Sequence, residues 1–168
     1  MGSKPNARHD GVMTHDGHTT QGLVIQRTNF VCTTLFIVTA LYAAIVFDTI
    51  AQWVGAVTAM TLFAIGVATF LWGFWNAVQR SRHEDIAVSE VYFLLRDAAP
   101  RGVRRSMNAM LLAQIITAFG TTFARTSGPD GRPGSSLAVG ILVPVLGIGL
   151  NGLWSSRYGK FPRRAIAE

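Results

Sequence analysis

Formal charge is missing from thirty-one consecutive residues, Thr49 to Gln79, which read TIAQWVGAVTAMTLFAIGVATFLWGFWNAVQ. A helix of that length rises about 46 Å at about 1.5 Å per residue. The hydrocarbon core of a bilayer is only about 30 Å thick, so the segment is long enough to cross it. Trp53 stands near one end and Trp72 and Trp75 near the other, where two interfacial aromatic belts are expected.

Other absences narrow the reading. Only 14% of the residues are charged and 49% are hydrophobic, whereas a soluble domain carries about a quarter charged residues. Lysine is confined to Lys4 and Lys160, and the other thirteen basic residues are Arg, a bias that fits a GC-rich genome. Fifteen basic residues outnumber nine acids, but they flank apolar runs instead of lining one face, which argues against nucleic acid as a partner. The single Cys32 lies within an apolar run, so no intramolecular disulfide or redox pair forms, and it reads as a small buried side chain. No Asp, Glu, Lys or Arg interrupts the spans, and all four His lie outside them. A proton-coupled carrier generally needs a protonatable group in the membrane. A haem buried in the bundle needs axial ligands there.

Taken in order, residues 1–27 have few large apolar side chains and read as a mobile cytoplasmic tail. The apolar run beginning after Arg27 is too long for the core of a cleavable signal peptide, and Asn6 breaks a myristoylation pattern. His9-Asp10 recurs as His15-Asp16, followed by His18. Ligation there carries the cost of ordering a floppy segment and lacks a Cys or Glu to complete the set, so no metal is expected. Spans are expected at about 28–47, 50–79, 106–124 and 135–154, with a basic cytoplasmic tail at 157–168. Between the second and third, RSRHEDIAVSEVYFLLRDAAPRG predicts a short amphipathic cytoplasmic helix over about 82–97. Ser81 and Glu84 would form its capping box and Ala99-Pro100 its stop. The fold class is therefore all-α, a four-helix transmembrane bundle carrying one cytoplasmic helix.

Small residues supply the candidate packing faces. Gly55, Ala59, Gly66, Gly73 and Ala77 share one side of the second span, and Ala109, Ala113, Gly120 and Ala124 form a line on the third. In lipid, helices associate through close backbone approach at such stripes, within the chain or across a dimer seam. Pro144 is expected to kink the fourth span, with Gly147 among its small residues. Gly147, Gly149 and Gly152 also spell GxGxxG, but a dinucleotide site needs a preceding strand and a later acid, and neither fits an apolar span. Gln52, Asn76, Asn108, Gln114 and Asn151 are the candidate polar interior, read first as interhelical hydrogen-bonding groups and alternatively as a permeation path. His83, Glu84 and Asp85 are consecutive and would point in different directions from a helix, so no catalytic set is read from them. Catalytic, cofactor and metal sites are not expected, and the chain is not read as an enzyme.

Thirteen basic residues fall in the two tails and the middle loop, against Arg125 and Arg132 in the other two loops. That asymmetry puts both termini in the cytoplasm and requires an even number of spans. VYFLLRDAAPRGVRR (Val91 to Arg105) and LAVGILVPVLGIGLNGLWSSRYGKFPRR (Leu137 to Arg164) resemble small uncharacterised four-helix integral membrane proteins of actinobacteria. The resemblance covers about Asn29 to Arg164. It implies a bacterial inner-membrane protein and brings no established activity or site residue. The expected role is that of an accessory or scaffold protein in the bilayer, with a membrane-protein partner or a second copy of itself. A small uncoupled transporter or channel is the alternative.

Overall fold

A computed structural model describes residues 16–95, 98–128 and 135–163, with side chains from residue 22 onward. The His9, Asp10 and His15 pattern, the side chains of Asp16 and His18, Arg96 with Asp97, most of the Arg125–Ser135 loop and residues 164–168 lie outside that description. The described residues are organised by helices: α1 (Asp16–Val46), α2 (Thr49–Arg80), α3 (Val88–Phe93), α4 (Arg101–Ala124), a 3-10 helix (Ser136–Leu142) and α5 (Pro144–Tyr158). Four of these segments are long and apolar enough to cross a membrane: Gly22–Val46, Thr49–Arg80, Arg101–Ala124 and Ser136–Tyr158.

The α1–α2 connection is only Phe47 and Asp48. Phe47 takes a left-handed backbone, φ 52°, and Asp48 caps α2 by accepting from the Ala51 N–H at 2.6 Å. A carboxylate at that position satisfies an orphan donor of the first turn and suits the positive end of the helix. Arg125, the residue after α4, closes the same end. Its Nε donates to the Ala44 carbonyl at 3.1 Å and its guanidinium lies 4.4 Å from the Phe47 ring centroid. At the opposite end Gly22 lies against the Trp154 ring, and Arg80 reaches the last turn of α5. Successive long helices thus run antiparallel. The start of α1, the 81–100 connection and the end of α5 are gathered at one end of the bundle.

The fourth apolar segment is two helices, not one kinked helix. Ser135 caps the 3-10 turn through its Oγ, and Val143 both ends that turn and begins α5. Pro144, expected in mid-helix, occupies the first position of α5, where its missing N–H was an orphan in any case. The helix predicted over 82–97 is also different. Ser81 ends α2 instead of starting a new helix, its hydroxyl donating to Val78 O at 2.8 Å. Glu84 is drawn back to Arg80, N to O 2.7 Å. Residues 85–87 are non-helical, and six helical residues follow before Leu94 turns left-handed, φ 52°.

α5 is the axial helix, and its most extensive partner is α2. A Cβ added at Gly66 would sit 2.6 Å from Leu146 N, and one at Gly73 2.8 Å from Gly152 C. A Cβ on Gly149 would run into the Gly66 carbonyl and stand 2.5 Å from Thr69 Oγ1. Gly55 and Ala59 are buried, Gly55 facing Ala43. Two backbones in contact gain dispersion along their whole length, which is what holds helices together when lipid competes for every apolar side chain.

The line on α4 is oriented otherwise. Ala109, Gly120 and Ala124 are exposed and Ala113 is half-buried, with nothing within 4 Å of a Cβ built on Gly120. The inward face of α4 is Met107, Leu111, Gln114, Ala118 and Thr121.

Candidate functional site

The polar residues of the apolar segments fall into separate groups. Gln114, fully buried, donates through Nε2 to Thr33 Oγ1 at 2.7 Å and to Asn29 Oδ1 at 3.3 Å. Thr33 in turn donates to Asn29 Oδ1 at 3.4 Å. This knot ties α4 to α1, and Gly147 makes room for it, since a Cβ there would lie 2.7 Å from Gln114 Oε1. Gln52 belongs to the other end of the molecule, accepting from the Ser136 hydroxyl at 2.7 Å. Asn76 stands apart on α2, lining a shallow outward groove with Trp72 and Trp75.

The third group holds the 81–100 connection. Asn151 Nδ2 donates to Tyr92 O and to Asn108 Oδ1, both at 3.1 Å. Asn108 donates to Phe93 O at 3.1 Å, and the Ser155 hydroxyl to Val91 O at 2.6 Å. Three side chains from α4 and α5 thus donate to the carbonyls that a six-residue helix cannot bond internally. The Tyr92 ring rests on Gly152 and stacks on Phe70, centroids 4.4 Å apart.

The Tyr92 hydroxyl donates to Phe70 O at 3.2 Å, and burial pushes this phenol above its ordinary range. A raised acid favours the neutral form when folded, so its contribution is complete below about pH 10 and is lost as pH rises through the higher folded value. The thermal midpoint of the wild type is therefore expected to drop in that alkaline window, and Tyr92→Phe to flatten the drop. At neutral pH Tyr92→Phe is expected to lose about 1 kcal/mol with the hydrogen bond. Parallel alkaline losses in the two proteins would assign the effect elsewhere.

Arg80 is the centre of the charged end. Nη1 donates to Ser156 O and Nη2 to Gly159 O, each at 3.0 Å, while Nε donates to Glu84 at 3.0 Å. Its guanidinium also lies 5.2 Å from the Phe161 centroid. Beside it, Glu84 and Arg163 form an antiparallel bridge and Asp85 N–H donates to Pro162 O at 2.9 Å. His83 and Asp85 are exposed, and Glu84 is committed to Arg80. The exposed side chains at this end include Arg27, Arg82, Arg101, Arg105, Arg157, Lys160 and Arg163, against the carboxylate of Asp85.

Comparison with protein-family models, curated proteins and solved structures finds no match. The arrangement itself is what bears on function. Among the described residues no three His, Cys, Asp or Glu side chains gather as a metal set. Asn29, Thr33, Ser136 and Ser155 were not singled out in the sequence, because each gains its role from a partner 64 to 85 residues away. Asn29 alone carried a signal, a full amide two residues inside an apolar run.

Proposed function

We propose that this is a multi-pass inner-membrane protein of accessory or scaffold type, with both termini cytoplasmic, that packs with a larger membrane complex or with itself. The observation that carries the reading is the α2–α5 seam, where Gly66, Gly73 and Gly149 bring backbones into contact and leave no lumen between these helices. The outward faces are apolar, including Phe30, Val38 and Ile45 on α1 and Ile116 and Phe123 on α4. Trp53, Trp72 and Trp75 also point outward, as side chains at the two bilayer interfaces would. The concentration of Arg at one end supports the inward orientation of the termini. No catalytic step is part of this reading, and its partners are the bilayer and a membrane protein. Crosslinking in the native membrane followed by purification in mild detergent is expected to recover a defined partner or a homo-oligomer. A strictly solitary monomer would count against the proposal.

An uncoupled transporter or channel is the second reading, favoured by one observation. Asn29 Nδ2, Gln114 Oε1 and Asn151 Oδ1 are buried without hydrogen-bond partners among the described residues, and buried polar atoms normally have them. The scaffold reading expects Gln114→Leu to cost about 1 kcal/mol of stability, the scale of interhelical amide bonds in lipid, with no effect on permeability. Solute flux into liposomes that disappears in Gln114→Leu or Asn151→Leu would favour the channel instead.

A further inference from the structure

At the charged end, an apolar groove of about 150 Å³ opens between the last turns of α2 and the returning chain. Phe74, Ala77 and Val78 form one wall, and Ile86, Val88 and Val91 the other. Phe74, Val78 and Val88 are exposed along it, Val88 at 65%. Its polar end is Ser81, and the next residue is the exposed Arg82. Nearby cations are not all available, because Arg80 is already engaged by two carbonyls and Glu84. Arg82 carries no such bond among the described contacts, and the Glu84–Arg163 bridge brings the exposed Arg163 alongside. The opposing exposed carboxylate on this connection is Asp85 alone among the described residues.

We infer that this groove seats an anionic phospholipid, one acyl chain lying between α2 and α3 and the headgroup phosphate at Arg82. The inference rests on the membrane-spanning reading, which puts Trp72 and Trp75, about two turns before Ser81, at the hydrocarbon side of the interface and Arg82 at headgroup depth. Apolar walls ending in cations that outnumber the exposed carboxylate beside them match a ligand that is hydrocarbon at one end and phosphate at the other. A zwitterionic lipid fills the same walls but gains far less from the cations, since its own ammonium opposes them. Basic pockets at the cytoplasmic surface hold acidic headgroups on this principle.

The test uses the full chain, delipidated in mild detergent and then offered phosphatidylglycerol or phosphatidylcholine at equal mole fraction, with bound lipid counted by native mass spectrometry. The wild type is expected to retain phosphatidylglycerol at least about fivefold over phosphatidylcholine, the effect of about one cation near a phosphate. Arg82→Gln is expected to erase most of that preference. Val88→Asp, which places a carboxylate on an exposed wall, is expected to remove the bound phosphatidylglycerol. Both sites are exposed, so unchanged helix content and monodisperse elution will accompany the loss. Glycerol phosphate without acyl chains is expected to give no adduct.

Equal retention of the two lipids overturns the inference, as does phosphatidylglycerol binding that survives both substitutions. Adducts of glycerol phosphate alone would reassign the site to a free phosphate, and a lipid-free dimer blocked by Val88→Asp would reassign the groove to a second copy. A chain that stays dispersed without detergent refutes the membrane reading itself. A detergent-dependent chain without selective adducts refutes only the lipid site.

Discussion

Gly66→Ala is expected to break the bundle, and Gly66→Leu to prevent it from forming. The added Cβ meets the backbone of Leu146, 2.6 Å from its N and 2.7 Å from its Cα. Backbone cannot swing aside as a side-chain tip can, so α2 and α5 must separate along the seam. Overpacking costs about 1–3 kcal/mol, occasionally more, and here the upper end is expected because the neighbour is rigid. Gly149→Ala should behave alike, since its Cβ would run into the Gly66 carbonyl. Once the helices have parted, the second clash is already relieved, so the double variant is expected to lose much less than the sum. Gly120→Ala is the control: it meets nothing within 4 Å and exchanges a poor helix former for the best one. Thermal midpoints in detergent decide the matter. A Gly66→Ala midpoint equal to that of the wild type would mean that the α2–α5 seam is misplaced.

The second large effect is expected at Arg80. Its ion pair with Glu84 is a minor part of it, because both side chains are more than a quarter exposed and such pairs contribute at most about 1 kcal/mol. The two bonds to Ser156 O and Gly159 O matter more, since they satisfy carbonyls at the end of α5 with a charged donor. Bonds of that kind are worth about 1.5–3 kcal/mol each, though not additively. Arg80→Ala is therefore expected to cost about 3 kcal/mol, and Glu84→Gln less than about 1 kcal/mol. Arg80→Lys should fail to rescue, because a point ammonium cannot span two carbonyls and a carboxylate as a planar fork does. Limited trypsinolysis gives an independent reading: cleavage after Arg157, Lys160 or Arg163 should accelerate in Arg80→Ala and not in Glu84→Gln. Similar losses in those two variants would show that the ion pair, not the carbonyl clamp, holds this end.

Charge-free length is what made the helices legible. The second segment, expected at 50–79, is helical over Thr49–Arg80, because a long uncharged run bounded by Asp48 and Arg80 satisfies its backbone within a single helix, as an apolar surrounding would require. Direction of facing was less legible. Ala109 and Gly120 lie on one line of α4, but a small residue is as comfortable against lipid as against a helix, so spacing alone does not say which. On α4 a single amide decides the facing, since Gln114 must turn toward Asn29 and Thr33.

Local signals misled where a neighbouring group competed. Ser81 and Glu84 have the spacing of a capping box, yet Arg80 precedes them and draws Glu84 backward while its other nitrogens hold α5. Pro144 reads as a kink only if the helix is assumed to begin at Ser135. Given a 3-10 turn ending at Val143, the same proline becomes a helix start. The Arg80 contacts were out of reach of any short window, spanning 76 and 79 residues.

That separation has a consequence for synthesis. When Arg80 leaves the ribosome, the carbonyls it will grip are still untranslated, and Gly66 and Gly73 of α2 have no helix to meet. On the membrane-spanning reading, the first three spans therefore wait in the bilayer with the α2–α5 seam unmade, and arrival of the last one closes it in a single step. Nascent chains arrested before residue 144 should accordingly remain open to membrane proteases that the finished protein resists.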